Sequence, residues 1–185
     1  MVPAAGVVPK LIVSRESDAP VIRFDLRGKV KPIPAPYADP ADPSGATPLL
    51  AAPAAMGTYL PTGAFDIKLE SVAYSTEAIN KRKPAAGQRY LTAIFSIKNV
   101  SESRRGYGWS TWKPLVKDAD GEKIEYNQTI LKASRDEPAN GNLEPGEEAR
   151  VRFFFALPEN VDARTITIGE GNGRSLVFDV SGAGA

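Results

Sequence analysis

Apolar and polar residues alternate with a period of two along much of this chain, most clearly where Phe65, Ile67 and Leu69 are separated by Asp66, Lys68 and Glu70. A two-residue period puts alternate side chains on opposite faces of a strand, so this run predicts a strand with one dry and one wet face. The run "RYLTAIFSIKN" sets Leu91, Ala93, Phe95 and Ile97 on one side and Tyr90, Thr92, Ser96 and Lys98 on the other, interrupted only by Ile94. In "ARVRFFFALP", Val151, Phe153 and Phe155 stand against Arg150 and Arg152. Ile166 and Ile168 alternate with threonines, and Leu176, Phe178 and Val180 with polar or smaller neighbours. The clusters "AAGQ", "DADG", "EPGEE" and "EGNGR" punctuate these runs as turns. Short strands at this spacing, without long amphipathic helical stretches between them, predict an all-β fold, an antiparallel β-sandwich. One segment, "TILKASRDEPANG", reads as a helical turn.

The same period appears near the start. In "VIRFDLRGKV", Ile22, Phe24, Leu26 and Val30 share one side and Arg23, Asp25, Arg27 and Lys29 the other. With "KLIVSR" before it, this segment predicts a hairpin around "ESDAP". A lone two-stranded hairpin is marginal in water, so its apolar face needs a cover. The cover is either the chain's own sandwich or an edge strand of a neighbour reached by strand addition. A β-forming arm on a semi-rigid spacer favours assembly, with Ile22, Phe24 and Leu26 at the contact. The spacer is "KPIPAPYADPADPSGATPLLAAPAA", whose prolines exclude helix and central strand and favour an extended strap. The expected organisation is an arm over 1–30, a proline-rich strap over 31–56 and a sandwich over 57–181.

Composition narrows the chemistry. The chain has 185 residues, 42% of them hydrophobic, which suits one main core. Its 23 basic and 22 acidic residues leave a net charge of +1, which gives no general attraction to nucleic acid or anionic membrane. Cysteine is absent, which removes disulfides, thiol catalysis and thiolate metal sites. Histidine is absent too, and with it the commonest general base, the usual catalytic triads and the commonest transition-metal ligand. No window is apolar enough for a membrane helix, so insertion within this chain is not expected. The opening "MVPAAGVVPK" lacks the charged start and apolar run of a signal peptide. It is equally compatible with a start set by truncation, in which case an export signal or a preceding domain lies upstream.

The order of segments "FDIKLESVAYS", "RYLTAIFSIKNVS", "WKPLVKDADGEKIEY" and "LEPGEEARVRFFFALPE" resembles a bacterial immunoglobulin-like domain family of unknown function, found mostly in secreted and lipid-anchored proteins. The shared features are an initial strand, a strand ending in Lys-Asn with a small polar turn, an Asp-x-Asp-Gly hairpin, and a Pro-Gly-Glu turn leading into a Phe-rich strand. The resemblance covers roughly 57–180 and implies an immunoglobulin-like sandwich in an extracytoplasmic setting. It carries no catalytic residues.

Each candidate site has a structural competitor. "DADG" begins like a calcium loop, but Gly121 comes fourth instead of sixth and no flanking helix is credible, so a hairpin turn is expected and no metal. In "GYGWSTW", counting back from that hairpin puts Trp112 with Pro114 and Val116 on the core face. Tyr107, Trp109 and Thr111 then share the opposite face, where exposed rings mark a protein or carbohydrate contact. Packing against the proline-rich strap competes with that reading. Arg104 and Arg105 sit in an adjacent loop and complete the candidate binding set, though solvated charge is the ordinary reading. Lys81, Arg82 and Lys83 form a second basic loop that could enter a protease pocket. The acid pairs Asp118 with Asp120 and Glu147 with Glu148 sit at turns, and no nucleophile or phosphate-loop motif appears. The expectation is therefore a non-catalytic extracytoplasmic interaction or assembly module without cofactor. Carbohydrate or small-ligand binding is the alternative, and protease inhibition or hydrolysis a lesser one.

Overall fold

A computed structural model describes residues 10–13, 22–25, 38–41, 49–124, 129–171 and 174–183. The chain divides into two compact units, Met1–Pro48 and Leu49–Ala185. In the first, β1 (Lys10–Val13) pairs antiparallel with β2 (Ile22–Asp25), Lys10 opposite Asp25 and Val13 opposite Ile22. This is the pairing that the alternation in "KLIVSR" and "VIRFDLRGKV" predicts. Leu26, Val30 and the "ESDAP" connection lie outside the described residues.

The second unit is a β-sandwich. Its strands are β3 (Ala51–Ala54), β4 (Leu60–Pro61), β5 (Phe65–Ser75), β6 (Gln88–Asn99), β7 (Arg105–Tyr107) and β8 (Leu115–Asp118). They continue with β9 (Lys123–Ile124), β10 (Leu131–Lys132), β11 (Gly141–Leu143), β12 (Glu148–Pro158), β13 (Ala163–Gly169) and β14 (Ser175–Asp179). One sheet has the order β10-β12-β6-β5-β4 and the other β3-β14-β13-β8-β9, while β7 and β11 form a two-stranded ribbon. The inward sides of the long strands carry the residues that the two-residue period selects. Phe65, Ile67, Leu91, Phe95, Phe153 and Phe155 from the first sheet and Ile166, Leu176 and Phe178 from the second are all buried. Phe95 bridges the layers, its ring edge-on to Phe153 at 5.7 Å and to Phe178 at 5.9 Å between centroids. Side chains of this size contribute about 1.5–3 kcal/mol each when fully buried.

The long strand β5 keeps its core face only by changing phase. Leu69 pairs with Phe95 and Ser71 with Ile94, so Glu70 is an extra, bulged residue without a partner on β6. Before the bulge Phe65, Ile67 and Leu69 are buried; after it Val72 and Tyr74 take the inner side, opposite Ala93 and Leu91. Glu70 remains on the wet face. There its Oε1 accepts a hydrogen bond from the buried Ser96 hydroxyl at 2.5 Å, and its Oε2 one from Arg150 Nε at 2.9 Å.

Two expectations change. Ala51–Ala54, counted with the strap, forms an edge strand that runs parallel to β14, Ala52 beside Leu176. The prolines exclude a central position, but an edge needs hydrogen bonds on one side only, so Pro53 is tolerated there. The sheet is therefore antiparallel except at this edge. The segment "TILKASRDEPANG" is not helical, and among the described residues there is no helix. Leu131 and Lys132 pair with Arg152 and Val151, and the chain then reverses through the bonds from Lys132 N to Glu137 O and from Ala139 N to Ile130 O. Tertiary pairing with the Phe-rich strand overrides the local helical preference.

Candidate functional site

The aromatic segment does not continue as a strand. After β7 the chain turns through 108–111: Thr111 N donates to Gly108 O at 3.1 Å, and Gly108 N donates to Thr111 Oγ1 at 3.0 Å. That reversal separates the rings. Trp112 is fully buried, as its place on the core face predicts, with Phe65 edge-on at 5.3 Å. Tyr107 is half-buried and packs against Trp112, its ring centroid 6.4 Å away. Tyr107 and Trp109 therefore do not form a shared exposed face, because strand alternation fails across a turn. Trp109 sits in the turn and is 53% exposed, the largest exposed ring among the described residues. Beside it lies a shallow concavity of about 170 Å³ whose walls include Ile130, Pro138 and Asn140.

Arg104 and Arg105 are engaged away from Trp109. The ribbon sets Tyr107 opposite Gly141 and Arg105 opposite Leu143, so the arginines lie at its far end. There Arg104 Nε is 3.4 Å from Glu144 Oε1, and Arg105 Nε donates to Ser101 Oγ at 3.2 Å. Exposed pairs of this kind contribute little to stability, and they leave the two side chains turned toward a loop end.

The "DADG" segment is a hairpin turn between β8 and β9. Gly121 N donates to Asp118 O at 3.2 Å, Asp118 N to Glu122 O at 3.1 Å, and Gly121 takes a φ of 85° that favours glycine. The Asp118 carboxylate accepts hydrogen bonds from the backbone N–H groups of Asp120 at 3.0 Å and Glu122 at 2.8 Å. A carboxylate used in this way shapes the turn. Among the described residues no group of three or more acidic side chains could hold a metal ion.

The basic loop also has a defined shape. Ile79 and Arg82 exchange both backbone hydrogen bonds, at 2.9 and 3.1 Å, around Asn80 and Lys81, whose φ values are 51° and 62°. Two left-handed central residues make a type I′ turn. A segment inserted into a protease cleft must be extended, and this turn is not, so the geometry argues against that use of Lys81, Arg82 and Lys83.

Sequence reasoning missed a second aromatic group on the outer face of the first sheet. Tyr90 and Phe154 lie on the wet side by alternation, yet both are buried, edge-on at 5.5 Å, in a cluster with Ile79 and Leu131. The signal was present: the middle residue of "FFF" and the Tyr second in "RYLTAIF" break the polar pattern on the same face. A concavity of about 250 Å³ opens over this cluster, with Asn80, Arg82 and Lys83 on its rim.

These features define a β-sandwich with turns and loops that carry its exposed chemistry. Among solved structures, the chain is similar to MPT63, a secreted protein from Mycobacterium tuberculosis, with 15% identity and a TM-score of 0.53 over 70% of this chain and 97% of that one. It is also similar to an uncharacterized β-sandwich protein from Clostridium difficile 630, with 16% identity and a TM-score of 0.51 over 69% of this chain and 92% of that one. At such identities the likeness is one of fold. No protein-family model matches the sequence, and no curated protein does.

Proposed function

We propose that this protein is a non-catalytic, extracytoplasmic interaction module that contacts a protein partner through the surface around Trp109. The carrying observation is Trp109 itself: a large ring, 53% exposed, fixed in a hydrogen-bonded turn at the lip of an apolar concavity. A rigid aromatic anchor beside a pocket is the kind of feature that dominates protein interfaces. With Tyr107 turned against Trp112, a single ring remains, which suits an apolar side chain better than the paired stacking of a sugar chain. The non-catalytic reading is supported by the carboxylates near turns and strands, since Asp118, Glu70 and Glu147 accept hydrogen bonds that shape the fold. The extracytoplasmic setting is supported by the family resemblance and by a similar fold in a secreted protein.

The test uses the two tryptophans, of which Trp112 is buried. Binding of an envelope-protein fraction should shift Trp109 emission to the blue and shield it from quenchers, and Trp109→Ala should abolish binding at an unchanged melting temperature. Unchanged binding by the variant overturns the proposal. A response to soluble glycans in place of protein replaces it with the carbohydrate reading.

A second reading concerns the N-terminal unit. β1 and β2 form a sheet of two strands, and among the described residues neither pairs with a further strand. A two-stranded hairpin is marginal alone, which supports a role in strand addition to a neighbouring copy, with Ile22, Phe24 and Leu26 at the contact.

A further inference from the structure

The concavity over Tyr90 and Phe154 has two kinds of chemistry. Its floor is apolar, formed by the edge-to-face pair of Tyr90 and Phe154 together with Ile79 and Ala156. Its rim carries the Arg82 and Lys83 side chains, both exposed, and among the described residues no carboxylate pairs with either cation. The acids nearby are already committed. Asp136 accepts from Asn80 N at 2.7 Å and pairs with Arg152, while Glu137 pairs with Lys132 at 2.8 Å and with Arg135 at 3.0 Å. The rim is also held in place. The type I′ turn at Asn80 and Lys81 is tied to Asp136 at one side, and the Tyr90 hydroxyl donates to Arg82 O at 3.3 Å at the other. Lys81 keeps a left-handed φ of 62° that a non-glycine residue adopts only when its surroundings impose it.

We propose that this concavity binds a small organic anion: an apolar, planar body on the Tyr90–Phe154 floor and a carboxylate between Arg82 and Lys83. The chemistry fits an aromatic residue that bears a free carboxylate, and the volume of about 250 Å³ admits a single such group. Small-molecule sites combine an apolar floor with a few fixed polar groups; this hollow has both, though it is smaller and more polar than most. Arginine supplies paired donors that match the geometry of a carboxylate, and lysine adds a flexible charge beside it. The ligand is either a free aromatic acid or the last residue of a polypeptide, since both present the same group. Thr129 lines both this concavity and the one beside Trp109, so the two adjoin, and only this one has cations in its walls.

The test titrates the full chain with N-acetylphenylalanine, with its C-terminal amide, and with a short peptide ending in phenylalanine, followed by amide chemical-shift changes. Saturable shifts at residues 79–83, 90 and 154 are expected with the acid and not with the amide. Arg82→Gln with Lys83→Gln should weaken binding by about tenfold or more, because charge-assisted hydrogen bonds are lost. Ala156→Leu should block it by filling the hollow while keeping the charges. The peptide binding more tightly than the free acid assigns a chain terminus as ligand; the free acid binding equally assigns a small metabolite-sized acid. Equal response to acid and amide, no saturable response, or binding that survives both variants overturns the proposal.

Discussion

Asn99 donates from its buried Nδ2 to the carbonyl oxygen of Leu143 at 2.8 Å, joining the end of β6 to the end of β11 across 44 residues of sequence. The same nitrogen donates to Ser103 O at 2.8 Å, and Oδ1 accepts from Ser101 N at 3.0 Å and Ser101 Oγ at 2.7 Å. The backbone of Asn99 does likewise, with N donating to Glu147 O at 3.0 Å and O accepting from Gly146 N at 2.8 Å. Every polar atom of the residue is used. Asn99→Ala takes the donor from the buried Leu143 carbonyl and the acceptor from Ser101, so it should lower stability by about 1–3 kcal/mol. Asn99→Asp should be worse, because it removes both donors and places a charge where water is excluded. Urea unfolding of the two variants, ranked against the parent chain, checks both expectations.

Asn99 also explains why two segments far apart in sequence, "KNVS" and "EPGEE", were recognisable together. One supplies the asparagine and the other the turn it ties down, where Pro145 and Gly146, at a φ of 83°, form a type II bend closed by Glu147 N to Glu144 O at 3.0 Å. The strands themselves were legible because their faces differ in polarity. What was not legible had no periodic signal. The bulge at Glu70 shifts the phase of β5 by one residue, and nothing in "LESV" marks which residue is extra. The reversal at 108–111 rests on the Thr111 hydroxyl accepting from Gly108 N, a contact that counting in twos passes over. The strand Ala51–Ala54 is short, carries Pro53 and depends on β14 for all its pairing, so composition alone assigned it to the strap. The pocket over Tyr90 and Phe154 needs a loop from 79 to 83 that only the tertiary fold brings to that face.

The two tryptophans should respond very differently to truncation. Trp112→Ala removes a fully buried ring and should cost about 3–5 kcal/mol. Trp109→Ala should change stability by no more than about 0.5 kcal/mol, as surface substitutions do. Trp112 Nε1 is buried and has no hydrogen-bond partner, so Trp112→Phe loses volume but also removes an unsatisfied donor. Its cost should therefore fall well below that of alanine. Thermal melts of the three variants test the order, and equal losses at 109 and 112 would place Trp109 in the core.

Acid should weaken the first sheet through Glu70. Its carboxyl is held below the usual glutamate range, first by the hydrogen bonds from Arg150 and next by the one from Ser96. A carboxyl with a lowered folded-state pKa adds stability that is complete above its unfolded-state value and is lost as pH falls through the folded one. Glu70→Gln should therefore be less stable than the parent at neutral pH, and the gap should close as the medium becomes acidic. Glu137 and Asp179 are lowered as well but are common to both proteins and cancel, whereas Glu148, also lowered, is repelled by Glu70 and gains from the substitution, which narrows the gap slightly. A gap that stays constant with pH would show that the Glu70–Arg150 pair contributes nothing in solution.

Calcium should leave the melting temperature unchanged. The Asp118 carboxylate already serves as acceptor for two backbone N–H groups in its own turn. Binding at a hundred times the dissociation constant would stabilise the fold by about 2.7 kcal/mol, which thermal scans resolve easily. Asp118→Ala should cost about 1 kcal/mol through the lost turn contacts, with or without the ion. A rise of several degrees in millimolar calcium, absent in this variant, would make the turn a metal site.

Deleting residues 1–48, the first compact unit, separates the two possible roles of the N-terminal hairpin. The second unit contains both five-stranded sheets, including the parallel edge strand β3, so the truncated chain keeps a complete sandwich and should fold. If the hairpin adds its strands to a neighbouring copy, the full chain should sediment as an oligomer at high micromolar concentration and the truncated chain as a monomer, with little change in the unfolding free energy of the sandwich. The substitution Phe24→Lys should act like the deletion, because it puts a charge among the apolar positions of the alternating run "VIRFDLRGKV". A monomeric full chain whose stability simply falls on deletion would mean that the hairpin serves its own domain, and strand addition would be excluded.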